Sequence, residues 1–220
     1  SYITFNDIWF HGSGGSSGAS MKIAPNSAIT TTGITFNRCR MSHSAYYGCF
    51  VTYRTGTAAL TNITFNGCEL DHNGRIGLFI EGENVSNRVT GMLVTGCLIH
   101  DNGNALYGMY GMHTRWHDGT TVTRSRLYNN NGYLNWSGEL YMTESINSIV
   151  SYNVTYGGNR TGIHFDVHSN MFTCIYNICY NQGKNGIWVE EHLRAAGTSV
   201  IYGNTTYACE NGLVFNPGGT

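Results

Sequence analysis

Proline and lysine are nearly missing from this 220-residue chain, which has two of each, the lysines being Lys22 and Lys184. With so little lysine, an enzymatic base of that type is excluded from most of the surface. Charged residues make up 11% of the chain and the formal net charge is −1, so no basic field exists to hold nucleic acid. No apolar run approaches the roughly 20 residues of a membrane span. Leucine is too scarce to supply a Leu-x-x-Leu-x-Leu frame in every coil of a repeat, and amphipathic stretches of about ten residues are absent, which excludes leucine-rich and helical solenoids. Against two prolines stand 29 glycines, so the corners of the backbone are turns with positive φ more often than rigid bends.

What the chain does have is a period. Cys39, Cys68 and Cys97 are each 29 residues from the next, within ITFNRCRM, ITFNGCEL and LVTGCLIH. Around them Ile34, Ile63 and Met92, then Phe36, Phe65 and Val94, then Met41, Leu70 and Ile99 stand in register. Each unit reads as two short strands with alternate residues inward, joined by a tight polar bend such as Asn37-Arg38 or Asn66-Gly67. A third strand recurs as CFVTY, LFIEG, MHTRW, LYMTE, IHFDV, IWVEE and LVFNP. Later coils are shorter, with Asn153, Asn177 and Asn204 at intervals of 24 and 27. Three strands per turn, repeated seven or eight times, resembles the right-handed parallel β-helix over essentially the whole chain. The expected fold is all-β, one solenoid domain over residues 1–220. Its first residues read as mid-strand and its last as bare loop, from which we expect a piece of a longer chain or a mature product.

Seven cysteines do not imply disulfides here. Stacked residues in adjacent coils lie about 4.8 Å apart with parallel Cβ vectors, so Cys39, Cys68 and Cys97 are expected to form a buried thiol ladder. Cys49, Cys174, Cys179 and Cys209 lack metal-type spacing. Six Asn-x-Ser/Thr sequons, at Asn62, Asn84, Asn135, Asn153, Asn159 and Asn204, are what chance gives in a chain so rich in these residues.

Alternation along the third strands divides them into an apolar inward column and three outward files. The first file is Phe50, Phe79, His113, Tyr141, His164 and Trp188. The second is Thr52, Glu81, Arg115, Thr143, Asp166 and Glu190, and the third is Arg54, Glu83, His117, His168 and His192. Outward strand positions are polar in most solvated sheets, but this strip carries five of the nine histidines in a chain poor in charge. An aromatic file, a carboxylate file and an imidazole file side by side point to a binding or catalytic groove. Asp166-x-His168 and Glu190-x-His192 in adjacent coils would suit a divalent ion such as Ca, Mn or Zn, and equally well two hydrogen-bonded His/carboxylate pairs. A helical turn over EEHLRAA would draw His192 out of register.

In its coil pattern and its third-strand polar file the chain resembles the pectate-lyase-like superfamily of carbohydrate-active enzymes. The stretch Gly162-Ile163-His164-Phe165-Asp166-Val167-His168 is also similar to the Asp-Pro-His segment of alginate epimerases, with Asp166 and His168 matching and Val167 departing. Motifs of galacturonan hydrolases are absent. The resemblance implies a polysaccharide or oligosaccharide partner, neither nucleic acid nor membrane, and a location outside the cell, on its surface or in a periplasm. It further implies proton abstraction next to a uronate carboxylate, by a lyase or C5-epimerase. Arg115 would then neutralise the carboxylate, His164 or His168 abstract, Tyr141 donate and Asp166 orient an imidazole, with or without a metal on Asp166 and Glu190. Phe79, Glu81, His113, His117, Trp188 and His192 would line the binding surface, Phe79 and Trp188 as platforms for sugar faces. Two alternatives stay open: a glycoside hydrolase using Asp166 and Glu190 as its carboxylate pair, and a non-catalytic glycan-binding or structural β-helix such as an adhesin or tailspike shaft.

Overall fold

A computed structural model describes residues 2–217 except 16–17, 26–29, 53–58, 104–108, 133, 136 and 192–196. Three parallel sheets wrap one column. The first runs from Ile3–Asn6 to Val200–Tyr202, the second from Trp9–Ser13 to Thr205–Tyr207, and the third from Ala19–Ile23 to Asn211–Pro217. Each path has eight strands, and the first sheet gains two short extras, Val89–Thr90 and His117–Asp118. The period seen in the sequence is the register of the sheets: Ile34 pairs with Ile63, Phe36 with Phe65, and Phe65 with Val94. Among the described residues there is no helix, so none is long and apolar enough to cross a membrane. Residues Glu190 and Glu191 continue the strand Asn185–Glu191, and the rest of the expected helical turn lies outside the described residues.

Inward residues of all three sheets fill one continuous core, including Phe36, Phe65, Leu78, Ile80, Met112, Leu140, Met142, Ile163, Phe165, Ile187 and Val189. The rings of Phe5, Phe36 and Phe65 stack inside it at 5.0 and 5.1 Å. On the last described strand the inward Leu213 is 54% exposed, since a solenoid coil is covered only by its neighbours. On the second sheet, outside the core, Tyr128, Tyr156, Tyr180 and Tyr207 stack in a row at 4.8, 4.9 and 4.9 Å.

Two columns of polar side chains hold the corners. At the first, Cys39, Cys68 and Cys97 are buried and unoxidised as expected, each donating its thiol to a carbonyl of the coil below, as Cys68 does to Phe36 at 3.3 Å. The column continues through Ser125 to Asn153, Asn177 and Asn204, whose Oδ1 atoms accept backbone N–H groups of the preceding coil at 3.0, 3.0 and 2.9 Å. Asn153 is therefore a buried strut and not a glycan acceptor. Ser125 shows that a hydroxyl fits this corner, because its Oγ donates to Thr123 O, two residues back, at 3.0 Å. Cys68 has the same kind of partner in Asn66 O. Cys68→Ser should then cost less than about 1 kcal/mol in chemical denaturation, well below the 1–3 kcal/mol of a buried unpaired hydroxyl.

The second corner is an asparagine column. Asn73 Oδ1 accepts from Ser44 N, Asn102 Oδ1 from Asn73 N, and Asn130 Oδ1 from Asn102 N, each at 3.1 Å. The neighbouring place in the third sheet is kept for glycine, because a Cβ on Gly77 would lie 2.8 Å from Asn102 Nδ2 and one on Gly111 2.5 Å from Asn130 Nδ2. Two adjacent coils break one rule each. Where the next asparagine would stand there is Gly158, and where the next glycine would stand there is Glu139. The Glu139 carboxyl fills the gap and accepts from Asn130 N at 3.3 Å and from Asn130 Nδ2.

Candidate active site

The outward face of the third sheet carries an open cleft of about 570 Å³. Its floor is the first outward file: Phe50, Phe79, His113 and Tyr141 occupy paired positions in successive coils. One bank, where the strands begin, is formed by Tyr47, Arg75, Met109 and Tyr110. The other, where they end, is formed by Glu81, Arg115, Thr143, Glu144 and Val167. Glu81, His113, Arg115 and Tyr141 thus stand where alternation placed them.

Floor rings are set on edge. Phe79 is sandwiched between Phe50 at 5.1 Å and His113 at 4.9 Å, so its faces are covered and it offers no platform to a sugar. Trp188 is likewise covered on one face, by His164 at 4.2 Å with ring planes 5° apart, and it pairs with Val214 on its other side. In-register stacking causes both corrections, since rings about 4.8 Å apart leave no room for a ligand between them.

Three donors gather at one end of the floor. Ligating atoms of His164, Asp166 and Glu190 all lie within 4.8 Å of one another, with His164 Nε2 3.5 Å from Glu190 Oε2. Tyr141 O–H donates to Asp166 Oδ2, and Val167 N–H donates to Asp166 Oδ1 at 2.7 Å. Burial, Tyr110 and the Asp166 carboxylate all push the Tyr141 hydroxyl far above its usual range, so it keeps its proton. His164 has no exposed surface, contrary to its expected place in solvent. Truncating it would open a cavity under Trp188, so an effect of His164→Ala on activity would come with a lower melting temperature.

Among the described residues the third outward file forms no row, because the strands Tyr110–Arg115, Gly138–Thr143 and Thr161–Asp166 end at the second. After Arg115 the chain turns through Trp116 at φ 49, and His117 enters the first sheet, fully buried, its Nε2 2.8 Å from the core hydroxyl of Thr114. Burial holds His117 at about 3. After Asp166 the chain turns through His168 itself at φ 57, which takes it away from Asp166 and sets its Nδ1 3.0 Å from Glu144 Oε1. Arg54 and His192 lie outside the described residues. Of the expected metal set, Asp166 and Glu190 stay together and are joined by His164, while His168 turns away; a cation on His164, Asp166 and Glu190 would have to compete with the two hydrogen bonds already on Asp166.

His113, on the floor, bonds through Nε2 to Thr143 Oγ1 at 3.2 Å, and burial, Arg115, His117 and Arg75 lower it to about 3. Arg115 is 43% exposed, stacks on Trp116 at 3.7 Å and lies 3.9 Å from Glu81. Sequence reading missed Tyr47, Arg75, Met109, Tyr110 and Glu144. The signal for two of them was present, as Tyr47 and Tyr110 stand three residues before Phe50 and His113 at paired positions.

Three uninterrupted parallel sheets around one core, with a cleft along one face, define a parallel β-helix. The family described as the right-handed β-helix region matches residues 23–206, and the chain belongs to it. No curated protein matches the sequence. Among solved structures, a glycoside hydrolase is 14% identical over 90% of this chain, with a TM-score of 0.55. The A-module of mannuronan C-5 epimerase AlgE6 from Azotobacter vinelandii is 12% identical over 99% of it, with a TM-score of 0.43. This chain spans 39% of the first and 59% of the second. At such identities the likeness is one of fold.

Proposed function

We propose that this β-helix acts on an acidic polysaccharide by moving the proton next to a uronate carboxylate, in elimination or C5 epimerisation. The observation that carries the reading is Tyr141: a hydroxyl at the cleft floor, hydrogen-bonded to Asp166 and backed by His164 and Glu190, in a cleft that also holds Arg115. Arg115 would neutralise the carboxylate and so stabilise the enolate. His164 is too buried to meet substrate, so abstraction falls to His168, with Glu144 behind it to stabilise the imidazolium. The C5 proton passes to His168 and its electron pair to the carboxylate as enolate. In elimination the C4–O bond then breaks and Tyr141 protonates the departing oxygen; in epimerisation Tyr141 instead returns a proton to the opposite face of C5. His164 and Glu190 hold Tyr141 and Asp166 in place.

A hydrolase is the second reading. It is favoured by the carboxylate donors of Asp166 and Glu190 lying within 4.8 Å, near the roughly 5–5.5 Å of retaining pairs, and by the fold shared with a glycoside hydrolase.

Turnover of a panel of uronans in deuterated water separates these readings. Proton abstraction predicts deuterium at C5, with ultraviolet absorbance from an unsaturated product if elimination follows. New reducing ends without either would establish the hydrolase, and no change in any polymer would leave a glycan-binding or structural β-helix. Prior treatment with a chelator should not slow the reaction, since both Asp166 oxygens are already engaged. Loss of rate restored by calcium, manganese or zinc would instead place a catalytic ion on His164, Asp166 and Glu190.

A further inference from the structure

Arg75 is the cation of the cleft that the proposed reaction leaves unused. Its guanidinium lies 5.5 Å over the Tyr46 ring, Nη2 is 3.2 Å from Met109 Sδ, and Nε is buried without a hydrogen-bond partner. Arg38 and Arg40 pair with Asp7 and with Asp71 and Glu69, Arg115 has Glu81, and Arg88 bonds three carbonyl oxygens. Among the described residues Arg75 has no carboxylate within ion-pair distance. A guanidinium that spends only part of its five donors, on Met109 and the Tyr47 hydroxyl, is a strong receptor for an anion, because it offers a planar fork and has lost part of its hydration.

Its position says which anion. Arg75 stands just before the strand Ile76–Glu81, on the bank where strands begin. Arg115 ends the strand Tyr110–Arg115, on the opposite bank and one coil along, as Ile76 pairs with Tyr110. His113 lies on the floor between them and feels both charges. The two cations are thus offset by one coil, about 4.8 Å, along the axis and by six strand residues, about 20 Å at the backbone, across it, with both long side chains lining the cleft between; the axial step is of the same order as the rise of one sugar in an extended chain. In a uronan joined by equatorial linkages, each ring is turned half a revolution from the last, and successive carboxylates point to opposite edges of the ribbon.

We infer that Arg75 and Arg115 are a pair of anion subsites on opposite banks, which take the carboxylates of two successive residues of a flat, two-fold uronan lying along the solenoid. Arg115 engages the reacting residue and Arg75 its neighbour on the side away from Tyr141 and Asp166. This rests on the proposed substrate class but not on the reaction. Arg75 is a binding and register residue, since an anchored neighbour fixes which ring reaches Tyr141.

The test is calorimetric titration of the whole chain with oligomannuronates and with the same oligomers after reduction of their carboxyls. Arg75→Gln should weaken binding of the acidic oligomers by about tenfold or more, the worth of one charge-assisted bond, while the reduced oligomers bind both proteins alike. Arg75→Lys, which keeps the charge and loses the fork, should fall between and serves if the glutamine variant does not fold. Where turnover is measurable, KM should rise with kcat nearly unchanged. Equal binding of the acidic oligomers by wild type and both variants overturns the inference. Binding that depends on Arg75 without any C5 exchange supports it while sinking the proposed reaction, and a wild-type protein that ignores acidic oligomers removes both.

Discussion

Tyr141→Phe should lower kcat at least a hundredfold, about 2.7 kcal/mol of transition-state stabilisation. The substitution removes one oxygen and nothing else. The ring keeps its stack on Tyr110 at 4.4 Å and its contact with His164 at 4.9 Å, so the floor of the cleft is unchanged in shape. What is lost is the proton donor, together with the partner of Asp166 Oδ2. An unpaired oxygen there costs about 1–3 kcal/mol of stability, visible as a fall of several degrees in melting temperature. Asp166→Asn should also be slow, and the double variant should be little slower than Tyr141→Phe, as expected of two groups acting as one unit. Near-normal turnover by Tyr141→Phe would remove the acid from the proposed mechanism and, with it, the reason to place the reaction at this end of the cleft.

Stability should fall as pH rises from about 4.5 to about 8 and then level off, and Glu139→Gln should abolish that fall. Glu139 has no exposed surface, and burial raises its pKa to about 8 against the opposing pull of Asn130. A carboxylic acid raised in the folded state holds its proton where the unfolded chain has released it, so the folded state loses ground with each pH unit between the two values, at about 1.4 kcal/mol per unit. The total is on the order of a few kcal/mol, a large share of a domain's stability. A glutamine serves because a single carbonyl oxygen already accepts both N–H groups at the other rungs: Asn102 Oδ1 takes Asn73 N at 3.1 Å and Asn73 Nδ2 at 2.9 Å. Denaturation midpoints of both proteins at acid and alkaline pH decide it. The variant should match wild type near pH 4.5 and exceed it at pH 9, and parallel curves would show that the ionisation of Glu139 is not felt by the fold.

The coil frame was legible because its signal is redundant. Cys39, Cys68 and Cys97 carry the period, and their neighbours repeat it on both sides, so a single substitution such as Val94 for phenylalanine does not hide it. The inward column was legible for the same reason, with Leu78, Ile80, Met112 and Leu140 each confirmed by the coil above. The site was legible only as far as the strands run straight. His117 and His168 left their file because the backbone turns left-handed at Trp116 and at His168 itself; histidine enters that conformation more readily than tryptophan, but neither marks the turn as plainly as a glycine would. Tyr47 and Arg75 were missed for the converse reason. The third strands were read from Cys49 and from Leu78, whereas the strands start at Tyr47 and Ile76 and the glycines at 48 and 77 are strand positions stripped of Cβ to admit the asparagine column. The stacking that hid the faces of Phe79 and Trp188 is a property of pairs of coils, which no single strand displays.

The tyrosines of the second sheet give this molecule its own gauge. Because Tyr128, Tyr156, Tyr180 and Tyr207 lie almost parallel, each close only to the ring before and the ring after it, their electronic transitions couple along the row like beads on a wire. A coil that peels from the end uncouples one bead and leaves the others intact. Near-ultraviolet circular dichroism should therefore fade in steps while the backbone signal still reports sheet, letting an observer read from light alone how many turns of the spiral remain wound.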